Sequence, residues 1–217
     1  MKVVVVASGA LDASDVAWLD GAGLVVAADG GAASLDRFGR RPDLVIGDLD
    51  SVDPALVARL ETTGTRVDRH PTDKEASDTE LAVDAACRAG GTQIVLLGAM
   101  GGERLDHELA NLLLLADPAL AGLDIRAVGD GTVVRALHAG RELPMDGAPG
   151  DLVTLLPVGG DAVGVTTDGL RWPLDAATLR MGRSRGLSNE VTRRPASVRI
   201  SEGTLLVVET PSRGEDS

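Results

Sequence analysis

The sequence predicts an α/β domain with a mostly parallel sheet over residues 1–129, followed by a small all-β domain, sandwich- or barrel-like, over residues 130–217. Three observations carry this reading. As far as residue 128, short β-branched runs alternate with longer Ala- and Leu-rich segments, the pattern of parallel strands joined by helical crossovers. After Gly129-Asp130-Gly131 the helical period disappears, and short strand-like runs are separated by Gly, Pro and Asp turns. Apolar residues make up 44% of the 217, enough for each part to bury a core.

In the first part, residues 3–7, 24–28, 44–46, 93–97 and 125–128 read as buried strands, because each is a short, nearly unbroken apolar run. Residues 13–19, 32–38, 54–60, 78–88 and 105–115 read as the helices between them. Asp53-Pro54 is a good helix start, and Ser77 with Glu80 has capping-box spacing. In the second part, residues 132–138, 152–157, 163–167, 197–200 and 205–209 read as strands. The polar tail, residues 211–217, reads as frayed.

Composition excludes several functions. A net charge of -12 argues against a nucleic-acid backbone or an anionic membrane as partner. The lone Cys87 allows neither an internal disulfide nor a Cys-rich zinc site, which suits a reducing compartment. The apolar run at residues 3–7 is too short for a signal peptide or a membrane span, so a soluble cytoplasmic protein is expected. Aromatic residues are scarce: Trp18, Phe38 and Trp172 are all there are. Trp18 and Phe38 fall on expected helices at apolar spacing and read as core. Trp172 lies in a turn-like stretch, either as a face for a flat ligand or as a plug in the β core.

Acidic residues gather where expected strands end, which is where α/β enzymes hold their ligands. Residues 44–46 run into Gly47-Asp48-Leu49-Asp50-Ser51. If that segment is extended, Asp48 and Asp50 share a face and would suit Mg²⁺; an acidic turn before the next helix is the alternative. Asp73-Lys74 leads to Ser77-Asp78, where the acids could simply cap a helix. Lys74 is one of only two lysines, and at a helix start it could meet a phosphate. Gly98-Ala99-Met100-Gly101-Gly102-Glu103-Arg104 precedes Asp106 and His107, combining a flexible backbone with a donor fork suited to phosphate. Ala28-Asp29-Gly30-Gly31 is a fourth such strand end. Neither lysine follows a glycine, so there is no Walker A loop. Carboxylates with Lys and Arg around a phosphate chain suggest phosphoryl or diphosphoryl transfer.

In this order the clusters resemble the thiamine pyrophosphokinase family. Asp29-Gly30-Gly31-Ala32, residues 42–51, Asp73-Lys74 through Asp78, Arg104-Leu105-Asp106-His107 with Asn111, and Gly186-Leu187-Ser188-Asn189-Glu190 carry the resemblance. It implies an ATP-binding α/β domain, a β domain that helps hold thiamine, and a homodimer with active sites at the subunit interface. It further implies Asp48, Asp50 and Asp78 as Mg²⁺ ligands. Lys74, Arg104 and Asp106 would line the phosphate path, with His107 and Ser51 on the nucleotide side and Asp29 near the reacting end of thiamine. Trp172, Ser188 and Asn189 would contact thiamine. Two departures stand out: Glu103 precedes Arg104 where the family pattern has Gly-Gly-Arg, and Lys74 stands where many members carry Gln. A pyrophosphokinase for another alcohol such as a hydroxymethylpterin, a non-catalytic nucleotide or thiamine binder, and a Mg²⁺-dependent phosphohydrolase are the rival readings.

Overall fold

The computed structural model describes residues 1–212; residues 213–217, most of the polar tail, lie outside the described residues. The chain divides into two compact units. One comprises Met1–Leu114 and Leu123–Asp130, the other Leu115–Gly122 and the chain from Gly131 onward.

The first unit has six strands: β1 Lys2–Val6, β2 Leu24–Ala28, β3 Leu44–Gly47, β4 Arg66–Arg69, β5 Gln93–Leu97 and β6 Asp124–Gly129. They pair in parallel in the order β6-β5-β1-β2-β3-β4. Val3, Val4, Val5 and Val6 of β1 and Ile94, Val95, Leu96 and Leu97 of β5 have no exposed surface. That is the burial an unbroken β-branched run demands, since both faces of a parallel sheet are covered. The helices are α1 Gly31–Arg37, α2 Pro54–Thr62, α3 Asp78–Arg88 and α4 Leu105–Leu114. Asp53 starts α2 by accepting the Ala55 N–H, and Ser77 starts α3 by accepting the Glu80 N–H at 3.1 Å. Both caps follow the sequence reading.

Four local expectations need correction. The helix expected over 13–19 is only a 3₁₀ segment, Asp15–Leu19, because residues 12–15 are held in a turn by the Asp15 N–H to Asp12 O bond and the Asp12 N–H to Asp15 carboxylate bond. Strand β4 carries only one valine among charged residues and so has no apolar run; it forms at the end of the strand order, with a single neighbour. Trp18 and Phe38 are half-buried, not core. The Lys2 ammonium and Arg126 guanidinium lie 5.8 and 5.9 Å from the Trp18 ring centroid, and the Arg37 guanidinium lies 5.8 Å from that of Phe38, so cationic head groups lie over the rings. The segment after β3 is not extended, since Leu49 has φ +61°; Asp48 and Asp50 still interact, but through a turn and not through strand alternation.

The second unit is antiparallel throughout: β7 Thr132–His138, β8 Glu142–Pro144, β9 Leu152–Pro157, β10 Ala162–Asp168, β11 Ala177–Leu179, β12 Asn189–Glu190, β13 Ser197–Arg199 and β14 Thr204–Thr210. Two strand runs, β12-β9-β14-β7 and β11-β10-β13-β8, face each other. Leu137, Val153, Leu155, Leu205 and Val207 of the first run share one core with Val165, Leu179 and Val198 of the second, as in a sandwich. Inside it, the buried Arg135 pairs with Glu209, whose other oxygen accepts the Asp146 and Gly147 N–H groups at 2.8 and 2.9 Å. Strands β8, β11 and β12 are two or three residues long, too short to leave a period in the sequence. No helix among the described residues is long and apolar enough to cross a membrane.

Candidate active site

From β1 the chain steps outward through β2, β3 and β4, then returns to the other side of β1 as β5. Ligands of open parallel sheets sit beyond the strand carboxyl ends at such a reversal. A cavity of about 840 Å³ lies there, lined by the loops after β1, β2, β3 and β5 and by the start of α3 and α4. The loops after β1 and β5 meet backbone to backbone. Gly9 N–H donates to Gly98 O at 2.8 Å, and a Cβ at Gly9 would come within 2.4 Å of that oxygen. Only glycine permits this approach.

Asp29 and Asp48 arrive in this cavity from the ends of β2 and β3 and Asp78 from the first turn of α3, each with a carboxylate oxygen within 4.8 Å of the others. Gly47 makes the crowding possible, because a Cβ there would lie 3.0 Å from Asp78 Oδ1 and 3.2 Å from Asp29 Cβ. Ser51 donates its hydroxyl to Asp29 Oδ2, while Asp29 Oδ1 is buried without a hydrogen-bond partner. Lys74 is the local counter-charge, with Nζ 3.5 Å from Asp48 Oδ2 and 3.1 Å from Asp78 Oδ1. Asp78 Oδ1 still makes no well-aligned hydrogen bond, so this contact is an ion pair only. Burial works against the Lys74 ammonium, but Asp78 and Asp48 outweigh it and hold its pKa above the ordinary lysine value.

The Asp50 N–H donates to Asp48, which is the chief reason the Asp48 carboxyl is held below the usual carboxylate range. The negative charge of Asp48, in turn, raises the pKa of Asp50. Three crowded carboxylates against one ammonium, with Asp29 Oδ1 and Asp78 Oδ1 both lacking a hydrogen bond, leave surplus negative charge facing the cavity. That donor set fits a hard divalent cation such as Mg²⁺.

Arg104 and His107 also line the cavity. Arg104 is exposed and holds Asp106 through two hydrogen bonds of 2.9 and 2.6 Å. Those bonds draw the Asp106 pKa down to about 2. Asp50 and Asp106 are absent from the lining, whereas Asp29, Asp48, Ser51, Lys74, Asp78, Arg104 and His107 belong to it. Sequence reasoning missed the role of Glu108, and it gave Asn111 none. Glu108 accepts the Gly101 N–H and Asn111 donates to Ala99 O, each at 3.2 Å, so α4 holds the glycine loop by side chains three residues apart. Their i, i+3 spacing was the available signal.

The β unit has a cavity of its own, about 260 Å³, lined by Leu155, Trp172, Leu174, Arg185, Leu187 and Asn189 among others. Trp172 is 56% exposed, so it does not plug the β core. The Arg171 guanidinium lies 5.1 Å from its ring. Asn189 is buried with its amide engaged by the Trp172 backbone. Ser188 is outside this lining; it has φ +55°, and its N–H donates to Thr154 Oγ1.

Comparisons with known proteins agree with this layout. The family model "Thiamin pyrophosphokinase, catalytic domain" matches residues 17–127, and "Thiamin pyrophosphokinase, vitamin B1 binding domain" matches residues 142–205. The chain is 29% identical over 220 residues to thiamine pyrophosphokinase 3 of Oryza sativa subsp. japonica, covering 87% of this chain and 78% of that protein. It is 24% identical to the thiamine pyrophosphokinase of Bacillus subtilis, covering 86% of this chain and 87% of the relative. Among solved structures, the thiamin pyrophosphokinase of Geobacillus thermodenitrificans superposes with a TM-score of 0.82 at 28% identity, covering 99% of each chain. The B. subtilis structure superposes with a TM-score of 0.87 at 23% identity, covering 98% of this chain and 100% of the other, and so supports the fold. With one model spanning half the sequence across the carboxylate-lined cavity and another spanning the β unit around Trp172, the chain belongs to the thiamin pyrophosphokinase family.

Proposed function

We propose that the chain transfers a diphosphoryl group from ATP to the hydroxyethyl oxygen of thiamine, forming thiamine diphosphate and AMP. The observation that carries this is the meeting of Asp29, Asp48 and Asp78 around Lys74 in a cavity at the carboxyl ends of a parallel sheet. Asp48, Asp78 and Asp29 would hold one Mg²⁺, with Asp50 completing the acidic rim. Bound there, Mg²⁺ would neutralise the crowded carboxylates and the phosphate oxygens together. Lys74 and Arg104 would stabilise charge on the transferred group and on the leaving AMP, with Ser51 and His107 on the nucleotide side. Asp106 is a poor proton acceptor, being paired to Arg104 with a pKa of about 2. Positioning of the thiamine hydroxyl therefore carries more of the rate than a strong base. We assign residues 1–129 to ATP and Mg²⁺ and residues 130–217 to thiamine, with Trp172 as its aromatic face and Ser188 and Asn189 nearby.

The same reading includes a cytoplasmic homodimer. Cys87 is unpaired, as a reducing compartment allows. Leu105, Leu109 and Leu113 of α4 are 66, 52 and 53% exposed, an apolar face beside Asp106 that a second copy would cover.

The test is to incubate the protein with ATP, Mg²⁺ and thiamine and identify the nucleotide formed. AMP and thiamine diphosphate in equal amounts are expected. ADP with thiamine monophosphate would overturn the diphosphoryl assignment, and phosphate release without thiamine would indicate a hydrolase. Light scattering is expected to give a dimer that Leu109→Asp separates.

A further inference from the structure

We propose that Asn189 is a positioning residue: its side-chain amide fixes the Trp172 peptide, and through it the indole that lines the 260 Å³ cavity. This rests on reading Trp172 as the thiamine platform and goes beyond it, because it takes Asn189 out of direct substrate contact.

The backbone explains why the amide is needed. Leu170 bridges Val191 in antiparallel fashion, and the Arg171 N–H donates to Glu190 O at 2.9 Å. The ladder then stops, because Pro173 follows Trp172 and has no N–H to continue it. The Asn189 side chain supplies the missing rung. Its Oδ1 accepts the Trp172 N–H at 3.0 Å, and its Nδ2 donates to Trp172 O at 2.7 Å. The same Oδ1 accepts the Glu190 N–H at 2.9 Å, which fills both of its acceptor sites. A primary amide thus stands in for a peptide group, one acceptor beside one donor.

The next residue acts on the ring itself. Glu190 Oε2 holds Arg171 Nη1 at 2.9 Å, and the Arg171 guanidinium lies 5.1 Å from the Trp172 ring centroid. The two residues of β12 therefore restrain one tryptophan, Asn189 through its backbone and Glu190 through the cation against its ring. An indole that is 56% exposed would otherwise sample several rotamers, and a ligand would have to order it on binding. No side chain but a primary amide matches the pattern. Aspartate has the same shape but lacks the donor, and it would set a carboxylate against the Trp172 carbonyl.

The experiment uses the full chain carrying Trp18→Phe, so that fluorescence anisotropy reports Trp172 alone. With Asn189→Ala, anisotropy without ligand is expected to fall, and the thiamine KM to rise about tenfold, the equivalent of the lost hydrogen bonds. The ATP KM is expected to stay unchanged, and kcat at saturating thiamine to fall less than KM rises. Asn189→Asp, which preserves size, is expected to reproduce the effect if the alanine variant folds poorly. The decisive arm adds Asn189→Ala to Trp172→Ala. If Asn189 acts through the ring, the second change adds nothing to the thiamine KM.

Additive effects of the two changes would overturn the proposal, since Asn189 would then touch substrate itself. So would unchanged anisotropy in both Asn189 variants. Failure of the platform reading is visible separately, as a folded Trp172→Ala protein whose thiamine KM is normal.

Discussion

In the α/β unit, Lys74 sits among Asp29, Asp48 and Asp78; in the β unit, Arg135 sits against Glu209 and Asp146. Both clusters place one cation among carboxylates, yet their surroundings differ. The carboxylates at Lys74 line an open cavity, outnumber the cation and include the unpartnered Asp29 Oδ1. Glu209 is 5% exposed and is satisfied from every side, by Arg135 and by two backbone N–H groups. The second arrangement joins strands β7 and β14 to the segment after β8 and satisfies both Glu209 oxygens, leaving only Arg135 Nε without a partner. Carboxylates read as a site where their demands are unmet within the protein, and as a strut where they are met.

Paired substitutions test that contrast most directly. Asp48→Asn is expected to reduce turnover by at least about a hundredfold, by analogy with losing one preorganised electrostatic group. Thermal stability should change by less than about 1 kcal/mol, because a crowded like charge is removed. Glu209→Gln is expected to behave in the opposite way. Breaking a buried pair costs about 3 kcal/mol, while activity per folded molecule should persist. Denaturant melts and kinetics on both proteins check this. A stable, fully active Asp48→Asn enzyme at limiting Mg²⁺ would end the comparison.

The next effect in size concerns two arginines of the same unit. Arg104 borders the cavity, whereas Arg88 closes the last turn of α3. Arg104→Ala is expected to lose about tenfold to a hundredfold in kcat/KM and Arg88→Ala about twofold or less. Equal small losses would mean that the phosphate contact is misplaced. The smallest effect is on the cation itself. Lys74 neutralises part of the charge that a metal would meet, so Lys74→Gln is expected to tighten Mn²⁺ binding by about tenfold, measured by titration calorimetry without nucleotide. Weaker Mn²⁺ binding would show that Lys74 organises the carboxylates instead of competing for them.

Much of the fold could be read from the chain. The strands β1, β2, β3 and β5 are apolar runs whose burial on both faces follows from their composition. The caps at Asp53 and Ser77 are local hydrogen bonds between neighbours in sequence. Strand β4 was illegible because Arg66-Val67-Asp68-Arg69 is made into a strand by its partner β3, not by its own side chains. The leucines of α4 had the right spacing for a core-facing helix, but spacing does not say whether anything covers the face.

The candidate site divides along the same line. By itself, the sequence determined that acids stand at strand ends, that no Walker A loop is present, and that Trp172 lies outside any strongly periodic segment. Tertiary structure decided which of those groups meet. It turned Leu49 to positive φ and so bent the Asp48–Asp50 segment out of strand geometry, with the Asp50 N–H turned onto the Asp48 carboxylate. It brought Asp29 to Asp48 and Asp78 across loops 19 and 49 residues away in sequence. It also set Asn189 against the backbone of Trp172, 17 residues earlier. Periodicity and capping depend on neighbours a few residues apart, and those the chain states openly. Convergence of distant side chains depends on strand order and register, which only the packed sheets supply.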